Sequence, residues 1–101
     1  MKLPLTGQQA EALKHLFEKV INPELPGDVA ESLLKDIMFL VYKKLRTKIE
    51  GKKKDGYSLT LNDIEGKAFY LYFQNRCLGD QWRYEQNMID AHLMELDKVY
   101  A

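Results

Sequence analysis

The chain has 101 residues, 46% of them hydrophobic, and its 15 basic and 15 acidic side chains give a formal net charge of zero. A chain of this size is expected to form one helical domain, 1–101, with a modest core. One cysteine gives no disulfide framework, and no apolar run exceeds six residues, so we expect a cytoplasmic protein without a signal peptide or a membrane span.

The first half of the sequence predicts two helices joined by a proline-rich turn. Thr6 and Gln9 have the spacing of a capping box, in which each side chain accepts a hydrogen bond from the other residue's backbone amide. A helix should therefore cover about 7–21. The segment NPELPG ends it, because two prolines and a glycine cannot continue a helix. Asp28 is the expected N-cap of a second, longer helix over about 29–50.

The third segment has two interpretations. Asn62 and Glu65 repeat the capping-box spacing and predict a helix over about 63–77. The aromatic and β-forming residues on both sides of NDIEG instead allow a β-hairpin at about 57–73. A last helix, about 81–100, is predicted by apolar residues at helical spacing, which are Trp82, Ile89, Leu93, Leu96 and Tyr100. The predicted fold class is thus all-α, a four-helix domain of two αα-hairpins, with an α+β domain as the alternative.

An internal similarity favours the helical interpretation. LPLTGQQAEALKHLF, from Leu3, and LTLNDIEGKAFYLYF, from Leu59, align without gaps, and the capping residues Thr6 and Asn62 coincide. Each stretch begins with a short Leu-x-Leu segment that we expect to be extended. The chain is therefore predicted to consist of two similar halves, with duplication as the hypothesis for their origin.

The second helix should have two apolar faces. One face persists to the end of the helix and comprises Leu34, Met38, Val41, Leu45 and Ile49. The other begins with Val29, Leu33, Ile37 and Leu40 and then becomes Lys44 and Lys48. We therefore expect the first half of this helix to contact neighbours on two sides and the second half on one side.

A basic segment, 43–54, carries a net charge of +6 although the whole chain is neutral. Its cations are Lys43, Lys44, Arg46, Lys48, Lys52, Lys53 and Lys54. Cations at a helix C-terminus offset the helix dipole, so the segment can be a solvated helix end and loop. It can also bind a polyanion such as nucleic acid, in which case lysine would contact phosphates as a point charge and would not read bases.

Residue patterns for catalysis are scarce. His15, four residues after Glu11, is expected on the solvated surface, and His92 at the edge of the core. Cys77 is expected to be a buried structural thiol. No glycine-rich phosphate loop, nucleophile elbow or clustered carboxylate motif is present in the sequence. We therefore predict a non-enzyme without catalytic residues, metal site or cofactor.

Aromatic residues exceed what one packing face of each helix needs. We interpret the surplus as a homodimer interface formed by Phe39, Tyr42, Tyr70 and Phe73. The predicted function is a small helical protein-interaction or assembly module that self-associates or binds an unknown protein partner. The alternative is a nucleic-acid-binding accessory protein that uses the basic segment.

Overall fold

The computed structural model describes residues 2–51, 56–74 and 78–100. Within these residues the elements follow in the order β1 (Lys2–Leu5), α1 (Gly7–Leu16) with a π-helical extension (Phe17–Ile21), α2 (Val29–Glu50), β2 (Tyr57–Thr60), α3 (Asp63–Gln74), and α4 (Arg83–Tyr100) after a 3-10 turn (Asp80–Trp82). The described part is 76% helical with four α-helices, which confirms the predicted, mainly helical fold. None of the helices in this part is long and apolar enough to cross a lipid bilayer.

The ambiguous third segment contains a strand and a helix, not a hairpin. Residues 57–60 form β2, but the chain then turns into α3 instead of returning as a second strand. The capping box explains the turn, because the amide of Glu65 donates to Asn62 Oδ1 at 2.8 Å and the amide of Asn62 donates to Glu65 Oε1 at 2.9 Å. The last residues of the predicted helix 63–77, from 75 onward, lie outside the described residues.

The two extended Leu-x-Leu segments pair with each other. β1 and β2 form an antiparallel sheet in which Leu3 lies opposite Leu59 and Leu5 lies opposite Tyr57. Leu3, Leu5 and Leu59 are buried, whereas the alternate residues are exposed, as expected for a sheet with one face on the core. Gly56 precedes β2 and has a φ of 92°, and a Cβ atom there would lie 2.7 Å from the Leu5 carbonyl oxygen, so this position requires glycine.

The two halves share one architecture, strand–helix–helix. Their capping boxes are equivalent, because Thr6 and Gln9 exchange hydrogen bonds of 3.0 and 3.1 Å just as Asn62 and Glu65 do. The residues matched in sequence, Leu3 and Leu59, lie directly opposite in the sheet. Two antiparallel strands are related by a local two-fold axis, and in this sheet the axis passes between Leu3 and Leu59.

The second helices of the two halves also correspond. At one constant offset, buried residues of α2 match buried residues of α4, namely Met38 with Ile89, Val41 with His92, and Leu45 with Leu96. α1 packs on α2 and α3 on α4 within each half, while α2 contacts α3 and α1 contacts α4 between halves. The structure therefore supports the repeat that the sequence predicted.

The core between the helices and the sheet encloses two of the four surplus aromatic residues, Tyr42 and Phe73, together with other rings. Phe17, Phe69 and Phe73 are at most 2% exposed, and the rings of Phe69 and Phe73 lie 4.9 Å apart. Tyr42 stacks on Phe17 at 5.6 Å. The sheet supplies a packing layer that four helices alone would lack, so these rings are buried within a single chain.

Candidate functional site

The four aromatic residues predicted as an interface do not form one surface. Phe73 and Tyr42 are 2% and 6% exposed, so they offer no surface to a partner in this structure. Phe39 is 43% exposed and lies beneath the Lys43 ammonium, 5.0 Å from the ring centroid. Tyr70 is half-buried, and its hydroxyl donates to Asp97 Oδ1 on α4 at 2.5 Å. Self-association, if it occurs, needs a different set of residues.

Exposed aliphatic side chains instead line a groove between α2 and α3. The groove has a volume of about 480 Å³. Its apolar lining, called the α2–α3 groove below, comprises Ala30, Leu33, Leu34, Ile37, Ile64, Ala68 and Leu71. Leu33, Ile64 and Leu71 are 62%, 64% and 60% exposed. Contiguous exposed apolar surface of this kind is typical of sites that bind proteins or ligands.

Local helix geometry explains why these side chains share one surface. On each helix the lining residues recur at intervals of three and four, so they lie along one side of it. On α2, Val29 and Leu40 extend the same side and are 86% and 51% exposed. This is the second apolar face predicted for the helix, and its neighbour α3 leaves much of it uncovered.

The charged residues of the groove, Glu31 and Lys67, have opposite signs and local partners. The amide of Gly27 donates to Glu31 Oε2 at 2.5 Å. Lys67 Nζ lies 3.0 Å from Asp63 Oδ2. This ion pair lowers the pKa of Asp63 and raises the pKa of Lys67. The groove therefore has a neutral lining and two charges already partnered at its edge.

The other half of the molecule provides an internal comparison for the groove. On α1, the positions that correspond to Ile64, Lys67 and Leu71 are the exposed residues Gln8, Glu11 and His15. On α4, Leu33 corresponds to Tyr84, an aromatic residue that is 44% exposed. The same architecture thus accommodates polar side chains at the positions of Ile64 and Leu71. Because the fold does not require apolar residues at these two positions, the exposed aliphatic side chains of Ile64 and Leu71 need another explanation.

The described part of the basic segment is partly neutralised by acids. Lys44 Nζ lies 2.5 Å from Glu65 Oε1 and donates to the Thr60 carbonyl at 3.3 Å. Arg46 pairs with Glu50 at 3.6 Å, while its guanidinium carbon lies 5.7 Å from the Tyr42 ring centroid. Lys43, Lys44 and Lys48 line a second hollow, described further below. Lys52, Lys53 and Lys54 lie outside the described residues.

The two histidines lie in different environments. His15 is exposed and its ring centroid lies 5.5 Å from that of Trp82. His92 is 9% exposed, and its Nε2 atom has no hydrogen-bond partner among the described residues. Burial lowers the pKa of His92 below its ordinary value. Cys77 lies outside the described residues. Within 2–51, 56–74 and 78–100, no three His, Cys, Asp or Glu side chains are grouped to hold a metal ion.

No protein-family model matches the chain, and comparisons with curated proteins and with solved structures gave no significant match. The candidate sites are therefore the α2–α3 groove and the second hollow, at Lys43, Lys44 and Lys48.

Sequence reasoning missed the groove because it assigned the second face of α2 to contacts within the chain. One signal was available. That face changes from Leu33, Ile37 and Leu40 to Lys44 and Lys48 without a break in the helix. When one side of a helix changes from apolar to charged side chains, its charged end must contact solvent. The apolar side chains next to that end can then be exposed as well.

Proposed function

We propose that the protein is a small helical self-association module in which the α2–α3 groove binds the same groove of a second copy. The resulting dimer is two-fold symmetric, with α2 and α3 of each copy in the interface. The observation that carries this proposal is the exposed aliphatic groove, in which Ile64 and Leu71 occupy positions where the other half has Gln8 and His15.

The exposed surface is large enough to support such a dimer. Complete burial of a Leu or Ile side chain stabilises by about 1.5–3 kcal/mol. Leu33, Ile64 and Leu71 are about three-fifths exposed, so covering each contributes about 1–2 kcal/mol. A two-fold dimer buries every position twice, which gives about 6–11 kcal/mol, and Val29 and Leu40 add to it. Association costs about 4–15 kcal/mol, which offsets much of this gain, so we expect a weak dimer with a dissociation constant of about 10–300 µM.

A second copy suits this groove better than a charged partner does. The lining is aliphatic, and its two charged residues, Glu31 and Lys67, have opposite signs. Two copies can therefore approach without like-charge repulsion. A partner with a strongly charged helix would lose hydration there and find no unpaired countercharge, because Lys67 is already bound to Asp63.

Sedimentation equilibrium of the full chain from about 1 to 500 µM tests the proposal, because this range brackets the expected dissociation constant. The unmodified protein should approach twice its mass of 11.8 kDa as concentration rises. Leu71→Glu should stay monomeric, since a carboxylate in an apolar interface lacks a partner. His15→Glu is the matched control, because it places the same charge at the corresponding position of α1, and it should dimerise normally.

Two results would contradict the proposal. One is a monomer for the unmodified protein at the highest concentration. The other is equal weakening by Leu71→Glu and His15→Glu, which would indicate a general charge effect. Circular dichroism of each variant checks that the fold is retained. Phe73→Glu is unsuitable as a test, because that side chain lies in the core and its replacement would unfold the protein.

A further inference from the structure

A second concave site lies between the C-terminal half of α2 and strand β2. It has a volume of about 390 Å³ and is called the basic hollow here. Its lining consists of Lys43, Lys44, Thr47, Lys48, Leu59 and Thr60. None of these residues belongs to the α2–α3 groove. The two surfaces can therefore be tested separately.

The fold does not require the lysines of the hollow. On α4, the positions that correspond to Lys43, Lys44 and Lys48 are occupied by Met94, Glu95 and Val99. Met94 and Val99 are 68% and 59% exposed, so apolar residues stand at these positions without being buried. The fourth α2 residue of the lining, Thr47, corresponds to Lys98, so the four α2 positions carry a charge of +3 where those of α4 carry none.

The cations of the hollow suit an anionic ligand such as phosphate. Arg46, the arginine of this helix end, is directed to Glu50 and the Tyr42 ring and does not line the hollow. The lining cations are ammonium groups, which bind phosphate as point charges and lack the fork with which arginine recognises carboxylate and phosphate in a bidentate manner. Lys44 is shared with Glu65, but its side chain remains 43% exposed.

The shape and lining of the hollow indicate which part of a nucleic acid would bind. No aromatic ring of the described residues lines it, so they offer no platform on which a base could stack. Its polar residues are lysines and threonines, whose side chains commonly contact phosphate and sugar oxygens. An open site of this kind would bind the backbone and leave the bases unread.

We infer that the basic hollow binds the phosphate backbone of a nucleic acid without sequence preference, with Lys43 and Lys48 as its principal contacts. Lys44 supplies a third positive charge while it holds Glu65 in place. Because the whole chain has a formal net charge of zero, binding should be weak and strongly dependent on salt.

Fluorescence anisotropy with a labelled duplex DNA of arbitrary sequence tests this inference, with salt varied from about 50 to 200 mM. The probe should bind the unmodified full-length protein at low salt. Lys43→Gln/Lys48→Gln should weaken binding and flatten the slope of log affinity against log salt by about 1.8, since each phosphate that is no longer neutralised changes the slope by about 0.9. Lys14→Gln/Lys19→Gln removes the same charge from the first helical segment and is the matched control. Its slope should stay within about 0.3 of the unmodified value.

Three other outcomes would refute the inference, and one variant separates it from self-association. Absence of binding at about 50 mM salt would overturn it, because low salt favours phosphate contacts most. Equal weakening in the two double variants would also overturn it, because the binding would then follow total charge and not the hollow. Direct binding of pyrophosphate in isothermal titration calorimetry, without any binding of DNA, would assign the hollow to small phosphate compounds and refute the nucleic-acid ligand. Leu71→Glu separates this site from self-association, since it should leave the salt slope per chain unchanged.

Discussion

The buried carboxylate of Glu65 makes a sharp prediction about stability. Its side chain is 5% exposed and accepts hydrogen bonds from Lys44 Nζ at 2.5 Å and from the amide of Asn62 at 2.9 Å. The Lys44 side chain is 43% exposed. Lys44→Met would leave the carboxylate buried without a cation, whereas Glu65→Gln would keep the acceptor for the Asn62 amide and leave the ammonium in contact with water.

The two substitutions should therefore differ in cost. Breaking a fully buried ion pair costs about 3–5 kcal/mol. Since water reaches Lys44, we expect Lys44→Met to lower the free energy of unfolding by about 2–3 kcal/mol. Glu65→Gln should cost less than about 1 kcal/mol, because a glutamine still accepts the capping hydrogen bond. Gln9 makes the same capping contact in the first half, which shows that glutamine fits this geometry.

Urea unfolding followed by circular dichroism at pH 7 measures both values. In thermal unfolding of the same variants, a difference of about 1–2 kcal/mol would separate the melting midpoints by about 4–16 °C for a domain of this size. Lys98→Met is the matched control, because its partner Glu95 is exposed and the pair should contribute at most about 0.5 kcal/mol. Equal costs for Lys44→Met and Glu65→Gln, or a larger cost for the glutamine variant, would refute the assignment of Glu65 as a buried charge held by Lys44.

Two further predictions concern α3 and α4. A Cβ at Gly66 would lie 2.5 Å from the Tyr100 hydroxyl and 3.3 Å from its Cζ atom, so Gly66→Ala must displace the end of this side chain. The displacement should cancel the gain of about 1 kcal/mol in helix propensity, whereas in a Tyr100→Ala background, which lacks both atoms, Gly66→Ala should stabilise by about that amount. Equal effects in both backgrounds would contradict the contact. Burial depresses the pKa of His92, so the unfolded chain binds more protons below about pH 6.5 and stability should fall as pH decreases from about 7 to 5. His92→Leu should remove this component of the pH dependence while His15→Gln retains it, and an unchanged slope in His92→Leu would assign it to other groups.

Helix starts could be predicted from the sequence because their causes are local. The capping boxes at Thr6 and Asn62 each involve residues three apart, and both formed as expected. The pairing of β1 with β2 was not predicted, since it joins distant segments and the short Leu-x-Leu pattern does not specify a partner. The repeat alignment had nevertheless matched Leu3 with Leu59, the residues that face each other in the sheet.

The candidate sites were less predictable, because exposure depends on which neighbours cover a side chain. Phe73 and Leu33 are both apolar residues on helices, yet one is 2% and the other 62% exposed. Helical periodicity placed them on faces but could not say which face a sheet or helix would cover. The basic hollow follows partly from sequence, since Lys43 and Lys48 were recognised as candidates, whereas Thr60 joins them through the tertiary fold.

The pairing of the first strand with a strand from the middle of the chain has a consequence for folding during synthesis. Leu3 cannot meet Leu59 until the ribosome has made and released β2. Until then α1 and α2 can form as a local hairpin, but the leucines of β1 have no strand to cover them. Closing a loop this long costs entropy before the sheet contributes any contact, so sheet formation should follow helix formation. Nascent chains in this interval expose an apolar strand and are the stage most open to aggregation or to chaperone binding.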